Sequence, residues 1–450
     1  MAGTSGGIRE WDVKINGKIA LCAAVAIVAA TAVMAQQATE QTPAHSAQAP
    51  PAAAMFGMMG PKSPEVGPDG SVTFRLKAPD ASAVGVNGNW QPGLMPPPQA
   101  MTKGADGIWE LTVNGLKPEM WTYTFVVDGV RMLDPGNVNV MRDGIRFMSM
   151  VTIPGPGSAL YTVNDVPHGT VRQVWYPSPT LGMAERRMYV YTPPGYEGGK
   201  QRYPVLYLLH GGGGDEDAWD TLGRANEILD NLIAAGKARP MIVVMTNGNW
   251  DQTAAPGVTP QTESSFAAFL HPNTPAFNKL IDDMLLFSDS LVKDVIPFVD
   301  KTYRTIPNRD HRAIAGLSMG GGQTIWAAFH HLDTFSYVAS FSGGLILFPD
   351  AMKIVPVAPG TPMIPGVGQE LNLAALPADF PGLNASANQK LHLLYFSVGQ
   401  DDGLLASNQQ FMDWLTSEGV QYQKMILPGY HHEWPFWRIS LADVAPKLFQ

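Results

Sequence analysis

Apolar and polar positions along the chain fall into two regimes. Between residues 65 and 158 they alternate with a period of two. Val72, Phe74 and Leu76 in "SVTFRLK", Trp109, Leu111 and Val113 in "IWELTV", and Trp121, Tyr123, Phe125 and Val127 in "WTYTFVV" each fall on one face of a short strand. Turn signals at Pro68-Asp69-Gly70, Asn87-Gly88-Asn89 and Asp128-Gly129 separate the runs. Short strands at this spacing predict a small all-β, immunoglobulin-like sandwich. Beyond residue 170 the pattern changes. Val205–Leu209, Met241–Met245, Arg312–Gly316, Tyr337–Phe341, Leu391–Val398 and Gln423–Leu427 are mostly apolar on both faces, as strands between helix layers are. Between them "RANEILDNLIAAG", "LIDDMLLFSDSLVKDVIPFVDKTY" and "NQQFMDWLTSEG" repeat apolar residues at helical spacing. This alternation predicts an α/β domain over residues 170–450 with a mainly parallel sheet. Residues 247–275 and 348–388 fit neither pattern and are expected to be long loops walling a substrate pocket.

The N-terminus has a third character. Ile19 to Ala35 is an apolar run rich in small residues, preceded by Lys14 and Lys18. It reads as a signal peptide over residues 1–35, cleaved after Ala35, with an uncleaved anchor as the alternative. The expected location is periplasmic or secreted, with no membrane attachment after cleavage. Residues 36–64, rich in Ala, Gln and Pro, read as a disordered linker. Cys22 is the only cysteine and lies inside the leader, so the mature chain must hold its fold without disulfides. A hydrophobic content of 45% over 450 residues allows a large core, and a net charge of −9 argues against a nucleic-acid partner.

Chemistry enters at "IAGLSMGGGQ". Ser318 stands between Gly316 and Gly320, after a predicted strand and before a predicted helix. That context is what a nucleophile elbow requires. A serine hydroxyl needs a base, and His431 and His432 follow the last predicted strand. The base needs an acid, and Asp401 and Asp402 follow "LHLLYFSV". The order Ser, Asp, His is that of the α/β-hydrolases. The Met319 amide and an amide of the His210-Gly-Gly-Gly-Gly run are candidates to hold an oxyanion. That run lacks the Lys-Ser/Thr of a nucleotide loop, and no metal-ligand spacing is present.

Together "YPVLYLLHGGGGDEDAW", "ARPMIVVMTNG", "AIAGLSMGGGQT", "SVGQDDGLLASNQQF" and "HHEWPFWR" resemble carbohydrate esterase family one, the esterase D-like branch of the α/β-hydrolases. The N-terminal segments "FRLKAPDASAVGVNGNW", "DGIWELTVNGLKPEMWTYTFVVDG" and "DPGN" resemble the early-set sandwich found beside glycogen-branching enzymes, which is related to starch-binding modules. The first resemblance implies a serine esterase that needs no cofactor. Its Gly-x-x-Asp pattern selects Asp402 over Asp401, and its His-x-Trp-x-x-Trp pattern selects His432 over His431. It implies Ser318, Asp402 and His432 as the catalytic residues and the Gly212 and Met319 amides as the oxyanion hole. His210, Gly211, Trp250, Trp434 and Trp437 are the candidate pocket residues. The implied substrate is a small-molecule or polysaccharide ester, with feruloyl or acetyl esters of plant polysaccharide foremost. A siderophore ester of the enterochelin type and a non-catalytic carbohydrate-binding protein are the alternatives. In the sandwich, Trp90 and Trp121 could stack on sugar rings, but alternating Trp109, Tyr123 and Phe125 read as packing. If the sandwich is a separate module, its removal is expected to leave small-ester hydrolysis intact.

Overall fold

The computed structural model describes residues 60–91, 96–144, 146–250, 252, 274–345, 348–356, 358 and 368–450. The expected leader, most of the expected linker, and the larger part of the 247–275 stretch lie outside these residues.

Ten strands precede residue 153: β1 (Glu65–Val66), β2 (Val72–Lys77), β3 (Val84–Gly88), β4 (Gln99–Ala100), β5 (Thr102–Lys103), β6 (Ile108–Val113), β7 (Met120–Val127), β8 (Val130–Met132), β9 (Val140–Asp143) and β10 (Arg146–Thr152). They form two antiparallel sheets, β1-β2-β6-β5 and β4-β3-β7-β10-β9, with β8 paired to β7. The period-two faces meet between the sheets. Val72, Phe74, Val86, Tyr123, Phe125 and Trp109 share one apolar cluster. Trp90 stacks on Phe74 at 5.5 Å, and its Nε1 donates to Gln99 at 2.9 Å, so it covers this core.

The second sheet system has eight strands. They are β11 (Thr170–Ser178), β12 (Met183–Thr192), β13 (Val205–Leu209), β14 (Ile242–Thr246), β15 (Arg312–Leu317), β16 (Tyr337–Phe341), β19 (Leu393–Gly399) and β20 (Gln423–Leu427), in the order β11-β12-β14-β13-β15-β16-β19-β20. The first two pairings are antiparallel and the remaining five parallel. β13, β14, β15, β16 and β19 are buried throughout, which explains their mostly apolar runs. The described part of 348–388 contains a hairpin, β17 (Met352–Ile354) with β18 (Gln369–Leu371). Beside it, Phe348 and Phe380 pack on Trp326, in the later turns of the Met319–His330 helix.

The two sheet systems are not independent. Met120, Met141, Met150 and Tyr161 belong to the same apolar cluster as Trp219, Leu222, Leu208 and Phe436. Residues 60–450 accordingly form one compact unit. Apolar side chains of β7, β9 and β10 that the alternation leaves on the outer face find their cover on the α/β part. Among the described residues, no helix is long and apolar enough to cross a membrane.

Candidate active site

β15 ends at Leu317 and a helix begins at Met319, so Ser318 occupies a one-residue turn with φ +50° and ψ −117°. A non-glycine residue holds such a conformation only where its surroundings enforce it. Here the Ser318 N–H donates to Phe341 O at 2.9 Å, and its carbonyl accepts from Gly344 at 2.7 Å and Gly322 at 3.1 Å. The flanking glycines are required by space. A Cβ on Gly316 would stand 2.4 Å from the Gly320 carbonyl oxygen, and one on Gly320 would stand 2.4 Å from that of His210.

The loop after β20 brings His432 to the serine, with Nε2 2.9 Å from Ser318 Oγ. The other ring nitrogen, Nδ1, lies 3.0 and 3.1 Å from the two Asp402 oxygens. A carboxylate only accepts, so Nδ1 carries the proton and Nε2 is free to accept from the Ser318 hydroxyl. The Asp402 side chain is fully buried and accepts from the Leu404 N–H at 2.9 Å. Burial pushes its carboxyl up, but the His432 hydrogen bond and charge, with the Leu404 amide, outweigh this and hold it below the usual carboxylate range. Trp437 meets the His432 ring edge to face at 5.0 Å, and Trp434 packs on both Trp437 and Trp219. His431 is exposed, and its ring bonds the Asp401 carbonyl at 3.1 Å. Asp401 accepts from the Gly429 amide.

After β13 the four glycines make a tight turn. Gly214 N–H donates to Gly211 O at 3.1 Å, with Gly212 and Gly213 between them and Gly213 at φ +80°. Glycine is the residue that adopts this φ without steric cost. The turn abuts the elbow, since a Cβ on Gly211 would lie 3.2 Å from Ser318 Cβ. Gly212 is exposed. The Met319 N–H is the first of its helix, where no intrahelical acceptor exists. The glycine turn and a helix N-terminus therefore stand beside Ser318, an arrangement suited to developing negative charge.

His210 differs from its expected place on a pocket wall. It is 1% exposed, its Nε2 accepts from the Gly248 N–H at 2.8 Å, and its Nδ1 donates to Gly211 O at 2.7 Å. Burial lowers its pKa, so the ring stays neutral and fastens the glycine turn to the loop after β14. Trp250 is half-buried, with its ring against Lys279 at 5.6 Å. Arg186, 0% exposed, donates to the carbonyls of Asn247, Asn249 and Trp250 and so holds that loop. No spacing in the sequence marks Arg186, because the loop carbonyls it holds lie more than sixty positions away.

The chain matches the family described as "Putative esterase" over residues 178–448, and it belongs to that esterase family. It is 30% identical over 406 residues to an endo-1,4-beta-xylanase/feruloyl esterase of Xylanibacter ruminicola, covering 87% of this chain and 46% of that protein. It is 26% identical over 281 residues to an esterase of Mycobacterium tuberculosis, covering 58% of this chain and 55% of the other. The chain thus spans about half the length of these relatives. Its fold is similar to enterochelin esterase of Shigella flexneri, with TM-score 0.55, 17% identity, and cover of 88% of this chain and 97% of that one. It is also similar to a carbohydrate esterase family one ferulic acid esterase of Anaeromyces mucronatus, with TM-score 0.50, 20% identity, and cover of 66% and 96%.

Proposed function

We propose that the protein hydrolyses carboxylic esters through an acyl-enzyme. Ser318 Oγ attacks the ester carbonyl carbon while its proton passes to His432 Nε2. Asp402 keeps the imidazole oriented and stabilises the imidazolium. The Gly212 and Met319 amides donate to the oxyanion. The alcohol leaves with the proton from His432, and Ser318 is left acylated. Water then gives a proton to His432 Nε2 and attacks the acyl carbon. The acid departs as Ser318 regains its proton. The observation that carries this reading is the continuous hydrogen-bonded line from Asp402 through His432 to Ser318, with separations of 3.0 and 2.9 Å.

For the natural substrate, a feruloyl or acetyl ester of plant polysaccharide is supported by the 30% identity to the xylanase/feruloyl esterase. A siderophore ester is the second reading. It is favoured by exposed Arg146, whose Nη2 would lie 3.7 Å from a Cβ on Gly213 and so puts a cation beside the glycine turn. We read the N-terminal sheets as an early-set sandwich and the Ile19–Ala35 run as an export signal. The deciding experiment measures turnover of p-nitrophenyl acetate, methyl ferulate, acetylated xylan and ferric enterobactin, with Ser318→Ala as the blank. Serine-dependent release of ferulate or xylan acetate is expected. Turnover of ferric enterobactin alone would install the second reading, and no turnover of any ester would sink both.

A further inference from the structure

The oxyanion assignment leaves a physical problem. An amide stabilises a transition state well only if it is held in place beforehand. Four consecutive glycines have more backbone freedom than any other tetrapeptide. His210 fastens the inner end of the turn at Gly211. The outer end is met by a segment more than sixty residues earlier, the tip of the β9–β10 hairpin.

Three contacts converge there. Gly144, at φ +61°, lies so close to the turn that a Cβ on it would stand 2.2 Å from Gly213 O. The Asp143 carboxylate fills the space beside Gly214, where an added Cβ would be 2.7 Å from Oδ1. Arg142 bonds the Asp215 carboxylate through Nη1, and its Nη2 is 3.6 Å from Glu216 Oε1. Its backbone N–H donates to Thr221 Oγ1 at 3.1 Å. Glu216 is gripped from the other side by Arg187 at 2.5 Å and by Asn247 at 3.0 Å. The hairpin itself is anchored by Met141, 0% exposed in the shared core. A planar guanidinium can face two carboxylates at once and fix their orientation, which a single ammonium cannot do.

We propose that Arg142 and Gly144 are positioning residues for ester hydrolysis. On this account, the N-terminal sheets hold the Gly211–Gly214 turn in the conformation that presents the Gly212 amide. The inference rests on the reading of Gly212 as an oxyanion donor.

The test uses the full chain, with Arg142→Gln, Arg142→Lys and Gly144→Ala, and with Val86→Ala as a variant of the sandwich core remote from the turn. Three quantities are measured: kcat and KM on p-nitrophenyl acetate, the inhibition constant of phenylboronic acid, which forms a tetrahedral adduct with a reactive serine, and the thermal midpoint. Loosening an oxyanion donor without removing it is expected to lower kcat about 10- to 100-fold in Arg142→Gln and Gly144→Ala, with KM changed by less than about threefold. Phenylboronic acid should weaken by the same factor as kcat/KM, and Arg142→Lys should recover part of the loss. Val86→Ala should lower the midpoint and leave kcat unchanged. Wild-type kcat and phenylboronic acid affinity in folded Gly144→Ala and Arg142→Lys would overturn the proposal, as would a fall in kcat that Val86→Ala matches at equal loss of midpoint. Should Arg142→Gln not fold, Gly144→Ala and Arg142→Lys still decide. Turnover retained by Ser318→Ala would instead sink the acyl-enzyme reading, a result separate from any of these.

Discussion

Arg438 Nη2 lies 2.9 Å from Glu119 Oε1, so the Trp434–Val444 helix that follows His432 is tied to the residue preceding β7 by an ion pair whose arginine is buried. The same guanidinium donates to Leu222 O at 2.7 Å and lies 4.7 Å from the centre of the Tyr161 ring, whose hydroxyl bonds Glu119. Removing one partner of such a pair strands the other in a medium that solvates it poorly. Arg438→Ala is expected to cost about 3 kcal/mol or more of folding stability. Urea unfolding of the two proteins measures it, and a loss under about 1 kcal/mol would show the pair to be well solvated.

Deleting residues 60–158 has the opposite expected outcome from that of a separable module. It would expose Trp219, Leu222 and Phe436, and leave Arg438 without Glu119. An aggregating or inactive fragment is expected. A soluble fragment with full p-nitrophenyl acetate turnover would show that the shared core is dispensable.

Ser318→Ala should lower turnover by about four orders of magnitude or more, since it removes the hydroxyl that is hydrogen-bonded to His432. The substitution deletes one oxygen at the elbow and leaves its backbone bonds to Phe341, Gly344 and Gly322 in place. The thermal midpoint should therefore move by only a few degrees. Retention of a tenth of the activity would contradict the nucleophile assignment.

His432→Ala should cost far more rate than His431→Ala. His432 lies between Ser318 and Asp402, whereas His431 is exposed and bonds a backbone carbonyl. Steady-state rates of the two variants decide this, and the reverse ranking would move the base to His431.

A pH dependence follows from Asp220. Burial, then the charges of Asp217 and Glu227, push its carboxyl up to about 7 against the opposing pull of Arg224. In the unfolded chain the group titrates near its ordinary value of about 4. Between these two values the folded protein keeps a proton that the unfolded chain has lost. This group therefore makes stability fall as pH rises from about 4 to 7, and contributes no further change above. Asp220→Asn removes that slope. The variant should gain stability relative to the parent at pH 7.5 compared with pH 5, read as the difference in unfolding free energy. An equal difference at both pH values would place the Asp220 titration elsewhere.

The strands of the α/β sheet were legible where they are buried on both faces. Val205–Leu209 and Tyr337–Phe341 have the same bounds in the sequence pattern and in the structure, as does the only partly buried edge strand Gln423–Leu427. β11 and β12 were not legible. Their runs carry Arg172, Gln173, Glu185, Arg186 and Arg187, which interrupt the apolar pattern that marks the other strands. Arg186 is the clearest case, a charged residue with no exposed surface whose acceptors are the carbonyls of the loop after β14. The β17–β18 hairpin was missed because its strands are three residues long, too short to display a period.

By itself, the sequence determined what depends on neighbours along the chain. A buried, mostly apolar strand, a Gly-x-Ser-x-Gly turn and a helix follow one another directly, so the elbow at Ser318 is local. So are the glycine turn after β13 and the chain order of serine, acid and histidine. The tertiary structure alone decided which arginines meet the glycine turn and whether the N-terminal sheets stand apart. Asp402 and His432 are 30 residues apart, Ser318 and His432 are 114, and Glu119 and Arg438 are 319. Contacts of that span depend on strand register and on how two apolar faces settle against each other. Periodicity states which face is apolar but not what will cover it.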